Sequence, residues 1–113
     1  MEFPPNQGLD QEEVNEQVAD VIEENDVVLF MKGTELMPQC GYSRKALGLI
    51  SQYRDEFETV DVLESLDEYR VALNEQSGWE TIPQTFVDGE FVGGSDILEE
   101  LEERGELEAT LEA

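Results

Sequence analysis

The amino-acid sequence predicts an α/β fold in which a four-stranded mixed sheet is flanked by helices. Three observations carry this expectation. Residues 27–31, Val-Val-Leu-Phe-Met, are a short, continuously apolar, β-rich run, the pattern of a central strand buried on both faces. Segments with apolar residues at helical spacing precede and follow that run. Further on, two short apolar runs flank Asp88-Gly89, a strong hairpin signal.

Residues 1–10 read as a tail and 11–113 as one domain. Asp10 opens the first helix, with Glu13 three residues on as a capping box. Val14, Val18, Val21 and Ile22 fall on one face, and Asn25-Asp26 ends the helix. Beyond the first strand, 33–39 is a loop containing Pro38. The second helix begins between Cys40 and Ser43, with Ala46, Leu47, Ile50 and Tyr53 as its apolar stripe. Residues 57–62 alternate as a strand. Ser65-Leu66-Asp67-Glu68 is a second capping-box pattern, opening a helix to about Gln76 that Gly78 stops. Residues 85–87 and 90–92 are the hairpin strands, and Gly93-Gly94 breaks the second of them. Ser95 or Asp96 then caps a helix carrying Ile97, Leu98 and Leu101. Gly105 interrupts it before a weak terminal helix at 106–112. The first two strands flank a helix and should be parallel through a right-handed crossover. The hairpin adds two antiparallel strands.

The chain has 113 residues, 39% of them apolar, which suits one domain with a modest core. No run approaches the ~18 apolar residues of a membrane span. The opening residues lack a basic segment followed by an apolar one, so no secretory signal is expected, and cytoplasm is the default location. Asp and Glu number 29 against 6 Lys and Arg, a formal net charge of −23. That balance disfavours nucleic acid and anionic lipid as partners. The hydrophobic periodicity argues against a disordered acidic chain. The remaining reading is a folded protein with a carboxylate-saturated surface, as in proteins of extreme halophiles. Molar salt shortens the Debye length to about 3 Å and screens the self-repulsion.

A single cysteine cannot form an intramolecular disulfide, and without histidine there is no Cys/His zinc site. Cys40-Gly41-Tyr42-Ser43 follows a buried strand and a loop, where a helix begins. A thiol there meets unpaired backbone N–H groups and the positive end of the helix dipole, both of which favour thiolate. Lys32, Arg44 and Lys45 are three of the six cations and lie within eight positions of it. A buried inert cysteine is the competing reading, against which stand the polar, Gly-containing surroundings. Ser43 occupies the place where a Cys-x-x-Cys pair would carry its resolving thiol. Its hydroxyl can cap the helix or donate to the thiolate, but it cannot resolve a mixed disulfide. The protein must therefore use an outside thiol, bind a metal through Cys40, or both.

Two further segments have double readings. Pro83 in Thr81-Ile82-Pro83-Gln84 is either an ordinary strand start or a cis Ile82-Pro83 bond that presents Ile82 backbone groups to an extended ligand. Gly93-Gly94-Ser95-Asp96 is either a tight turn into a helix or a helix N-terminus that offers N–H groups to a carboxylate. Asp96 could also accept from an amine.

Four segments together resemble the monothiol glutaredoxin family, on the thioredoxin fold, over roughly residues 11–107. They are 27–34 (Val-Val-Leu-Phe-Met-Lys-Gly-Thr), 38–45 around Cys40-Gly41-Tyr42-Ser43, 79–84 (Trp-Glu-Thr-Ile-Pro-Gln), and 87–96 ending in Gly93-Gly94-Ser95-Asp96. The resemblance implies that Cys40 ligates iron and can be glutathionylated. It implies that Lys32 and Arg70 pair with the glycine carboxylate of glutathione. Ile82, before the cis Pro83, would pair its backbone with the glutathione cysteine. Gly94, Ser95 and Asp96 would hold the γ-glutamyl end, with Tyr42 beside the thiol. It further implies a two-iron, two-sulfur cluster shared by a homodimer, the apo form being monomeric. Each protomer would give one cysteine and two bound glutathione thiols would complete the ligands, in keeping with four thiolates per cluster.

Tyr42 replaces the family's usual Phe, Glu80 stands where Pro usually follows Trp79, and Ser95 fills a place often held by Cys or Leu. With the charge balance, a halophilic archaeal host is expected, where a shorter γ-glutamyl thiol could replace glutathione. The expected function is an iron–sulfur cluster carrier serving acceptor apoproteins and redox homeostasis. The alternative is a weak glutathione-type thiol–disulfide oxidoreductase acting by a monothiol route through Cys40, and the third reading is an acidic binding domain with an inert cysteine.

Overall fold

The computed structural model describes residues 9–112; residues 1–8 of the expected tail, and residue 113, lie outside the described residues. In chain order the elements are α1 (Gln11–Glu24), β1 (Val27–Met31), α2 (Gly41–Ser51), β2 (Glu58–Asp61), a 3₁₀ turn (Leu63–Ser65), α3 (Leu66–Ser77), β3 (Gln84–Val87), β4 (Glu90–Gly93), α4 (Ser95–Glu103) and α5 (Leu107–Leu111). The sheet order is β2-β1-β3-β4. β1 pairs parallel with β2 and antiparallel with β3, and β3 pairs antiparallel with β4. The fold is therefore the expected four-stranded mixed sheet with helices on both faces. No helix among the described residues is long and apolar enough to cross a membrane.

The continuous apolar run of β1 is explained by its two buried faces. Val28 and Phe30 point into one core with Val14, Val18 and Ile22 of α1 and Tyr69, Ala72 and Leu73 of α3. Val27, Leu29 and Met31 point into the other, with Ala46 and Ile50 of α2, Leu98 of α4, and Leu107 and Leu111 of α5. Phe30 meets Phe86 edge-on, with ring centroids 5.7 Å apart. Each large side chain so buried contributes roughly 1.5–3 kcal/mol, which makes β1 the anchor of both layers and a firm base for the loop that follows it.

Local signals hold where a side chain bonds only its own neighbours. Asp10 forms the capping box with Glu13: the Glu13 N–H donates to Asp10 Oδ1 at 2.9 Å, and the Asp10 N–H to Glu13 Oε1 at 3.3 Å. Gly78 closes α3 in the left-handed conformation, its N–H donating to the Asn74 carbonyl at 2.8 Å. Asp88 and Gly89 both have positive φ, as the tight hairpin turn requires.

Three local expectations are corrected. The second capping box does not form, because Ser65 Oγ instead accepts the Leu9 N–H at 2.7 Å from across the fold. Neither Ser95 nor Asp96 caps α4; Gly94 holds the N-cap position and both residues are inside the helix or its first turn. Tyr53 is not part of the apolar stripe. α2 ends at Ser51, and the Tyr53 hydroxyl, exposed, donates to Glu102 Oε1 at 2.6 Å.

Candidate functional site

The site begins with the loop leaving β1. The Lys32 N–H donates to Ser43 Oγ at 3.0 Å, and the Gln39 N–H returns to the Lys32 carbonyl at 2.9 Å. The Gly33 N–H donates to Asp61 Oδ1 at 3.0 Å, and the same oxygen accepts the Leu63 N–H at 3.0 Å. Gly33 has φ +94°, and a Cβ there would lie 2.5 Å from the Met37 carbonyl oxygen, so only glycine suits this crossing. Lys32 is thereby held by three bonds at and beside its own peptide units, directly before the turn that delivers Cys40.

Cys40 is the N-cap of α2, extended in backbone and partly exposed. The sulfur makes no cap hydrogen bond as a thiol, yet the first N–H groups of α2 face it and favour its ionised form. Its pKa is lowered, first by the Ser43 N–H; partial burial opposes this. The Tyr42 N–H, the Ser43 hydroxyl and the Lys32 charge add to the lowering. Of the three cations nearby in sequence, only Lys32 contributes. Lys45 is turned away in an ion pair with Glu99, which corrects the expected cluster of positive charge. Ser43 is fully buried, and its one oxygen accepts from Lys32 and donates toward Cys40.

Ser43→Ala is expected to raise the Cys40 pKa and to leave the Lys32 N–H without its acceptor. The second loss should cost about 1–3 kcal/mol of stability, the usual penalty for an orphaned donor. Alkylation rate against pH would show the midpoint moving up; an unmoved midpoint in the folded variant would exclude this role for the hydroxyl.

Beside the cysteine lies a groove of about 470 Å³ lined by Tyr42, Thr81, Ile82, Pro83, Gly94, Ser95 and Asp96. The Ile82-Pro83 peptide bond is cis. A Cβ on Gly94 would stand 3.2 Å from the Pro83 carbonyl oxygen, so this glycine lets the α4 N-terminus close on the Pro83 wall. The opening N–H groups of a helix lack intrahelical partners, and here Ser95 and Asp96 form the groove end that carries them. Six of the expected site residues, Tyr42, Ile82, Pro83, Gly94, Ser95 and Asp96, are thus brought together, with Cys40 two residues before Tyr42 and Lys32 near enough to favour its thiolate. Arg70 does not line this groove. It stands on α3 and pairs with Asp67 at 3.8 Å.

Three contributors were not singled out by sequence reasoning. Thr81 lines the groove, and its signal was its place within the Trp79–Gln84 segment. Asp61 anchors Gly33, and nothing local marks it. Gln84, 1% exposed, spends both amide hydrogens on the loop before Pro83, donating to the Trp79 carbonyl at 2.8 Å and the Thr81 carbonyl at 3.0 Å. A cleft of about 720 Å³ lies elsewhere, between α1 and β2. Glu13, Glu16, Asp20, Glu24, Glu58 and Asp61 line it, with no Lys, Arg or Cys in the lining. It is a solvated acidic surface.

Comparison with known proteins agrees with this geometry. A family model described as Glutaredoxin matches residues 27–92. An uncharacterised monothiol glutaredoxin of Synechocystis is 47% identical over 100 residues, covering 88% of this chain and 92% of its own. The mitochondrial monothiol glutaredoxin-5 of Schizosaccharomyces pombe is 47% identical over 93 residues, covering 80% of this chain and 63% of its own. Among solved structures, reduced apo GrxS14 from poplar superposes with a TM-score of 0.75 at 40% identity, covering 88% of this chain and 90% of that one.

Proposed function

Because the chain belongs to the monothiol glutaredoxin family, we propose that it binds a two-iron, two-sulfur cluster with a low-molecular-weight thiol and passes that cluster to acceptor apoproteins in the cytoplasm. The observation that carries this reading is the donor set. Cys40 is the sole cysteine of the sequence, and it sits partly exposed where backbone N–H groups favour its thiolate. Among the described residues no group of three or more Cys, His, Asp or Glu side chains could hold a metal ion. An iron–sulfur cluster needs four thiolates. A protomer that brings one needs three more, and in the proposed assembly, as the family resemblance implies, a second copy supplies one and two small thiols the others.

The residues present fit that demand. The 470 Å³ groove opens beside Cys40 and ends at the α4 N-terminus, where N–H groups suit a carboxylate. Glutathione or a γ-glutamyl analogue would lie there, its γ-glutamyl end at Ser95 and Asp96, its cysteine against the Ile82 backbone, and its far carboxylate toward Lys32 and Arg70. When bound, the cluster supplies the transferable iron and sulfide. The chain's own residues keep Cys40 ionised, orient the small thiol and leave the mouth open to an acceptor.

Anaerobic incubation with ferric iron, sulfide and glutathione is expected to give a red-brown dimer, and omission of glutathione a colourless monomer. A colourless monomer in the complete mixture, with the fold intact, would overturn the reading.

One observation favours a second reading, that of a thiol–disulfide oxidoreductase. The lowered Cys40 pKa suits a nucleophile. The thiolate would attack the small-thiol sulfur of a protein mixed disulfide and release the protein thiolate. A second small thiol would then attack the Cys40 adduct, leaving as the oxidised dimer of the small thiol and restoring Cys40. Ser43 cannot replace that second thiol. Fast turnover of a glutathionylated substrate, without cluster formation, would select this reading.

A further inference from the structure

On the far side of the Thr81–Pro83 wall is a second groove, of about 290 Å³. It shares Thr81, Pro83, Gly94 and Asp96 with the groove beside Cys40, so the two are halves of one depression divided by that wall. Its other sides are apolar: Trp79, Phe91 and Val92, closed by Ile97 from α4. Trp79 is 60% and Ile97 38% exposed on a chain that carries 29 Asp and Glu. The Trp79 wall is built rather than loose. Its carbonyl accepts from the buried Gln84 amide at 2.8 Å, and its N–H donates to Ser77 Oγ at 3.0 Å. The same Gln84 leaves its own Oε1 buried without a partner, so both of its amide hydrogens go to holding this loop.

We propose that this groove receives a large apolar side chain, flanked by basic residues, from the protein that docks over Cys40. The inference rests on the reading of Cys40 as a site of exchange with other proteins. Three observations choose the occupant. The volume, near the ~300 Å³ lower end of small-molecule sites, suits one or two side chains. Asp96 lines the groove, Glu80 follows Trp79, Glu90 opens β4, and no Lys or Arg is in the lining, so the flanks call for cations. A second copy of this chain, with 6 Lys and Arg against 29 Asp and Glu, offers few cations to these flanks. β4 ends the sheet order, so the groove opens at an edge within reach of a docking chain. The divided depression would then sort its ligands, the polar small thiol beside Cys40 and the partner's side chain beyond Pro83.

Trp79 is the sole tryptophan, so its emission reports occupancy directly. The titrant is an acetylated, amidated hexapeptide with a central Leu-Phe pair and two arginines on each side, free of cysteine. The salt concentration is the lowest at which circular dichroism shows an intact fold. A saturable change in Trp79 emission is expected. At least tenfold weaker binding is expected when Ser-Ser replaces Leu-Phe, when glutamates replace the arginines, and in Ile97→Asp. Ile97→Ser serves if Ile97→Asp does not fold. Cys40→Ser should titrate like the parent.

No saturable change, equal binding by any of the altered peptides or by the Ile97 variant, or a self-association that alone moves Trp79 emission would overturn the inference. Cluster reconstitution run in parallel separates the two claims. Colour without peptide binding removes this groove's role and leaves the proposed function standing. Peptide binding without colour does the reverse.

Discussion

Cys40→Ser is expected to abolish cluster binding outright, with no visible absorbance and no dimer after anaerobic reconstitution. The loss is total because the chain holds no second cysteine and no histidine to take over, and a neutral serine hydroxyl is no substitute for a thiolate ligand. The parent should show the other half of the contrast. Its alkylation rate should rise through a midpoint below the free-thiol value of about 8.5. The sign follows from the causes named above. N–H donors, the Ser43 hydroxyl and Lys32 all stabilise the charged form, so deprotonation comes at lower pH than in an unstructured peptide. Lys32→Ala should move that midpoint up only in part, since Lys32 is the smallest of the named contributors. A coloured Cys40→Ser dimer would remove Cys40 from the ligand set.

Salt should control stability nearly as strongly. Among the described residues, three of the six cations are ion-paired: Lys45 with Glu99, Arg70 with Asp67, and Arg104 with Glu100. All three pairs are at the surface, where each is worth about 0–1 kcal/mol. Most of the 29 acids therefore repel one another without local compensation. Going from about 0.05 M to about 2 M KCl cuts the Debye length from more than 10 Å to about 2–3 Å. The melting midpoint should rise by more than about 10 °C, equivalent to roughly 2–3 kcal/mol for a domain of this size. KCl is the right salt, because sulfate stabilises proteins by exclusion from their surface whatever their charge. Cys40 alkylation in the folded state should also speed up with KCl, since the field of −23 opposes the thiolate until it is screened. A midpoint that stays level or falls would mean that the carboxylates are spaced widely enough to be harmless.

The sheet, the helix order and most of the site were legible because their signals are local. The apolar run of β1, the Asp10–Glu13 box, the Asp88-Gly89 turn and the Cys40 position at a helix start each depend on residues within a few places of one another. What could not be read depends on neighbours distant in the chain. Ser65 looks like a cap until the Leu9 N–H, 56 residues away, claims its oxygen. Lys45 looks like a partner for Cys40 until α4 brings Glu99 alongside. Tyr53 looks apolar until Glu102 takes its hydroxyl. The groove beside Cys40 was visible only as short segments resembling a known family; that Thr81 and Gly94 serve two cavities at once required the folded chain. Gln84 reads as an ordinary polar residue at a strand start, and only its burial shows that it fastens a loop.

Asp61 reveals where the site is moored. It is the last residue of β2, the outermost strand on the side away from the hairpin, and a single oxygen of its carboxylate binds the peptide that follows Lys32. The outer strand therefore acts as a stay for the peptide that carries Lys32. Trimming this outlying carboxylate would slacken the peptide at Lys32 without altering the cysteine or the groove lining, so sensitivity to change should extend to a margin of the molecule outside the site.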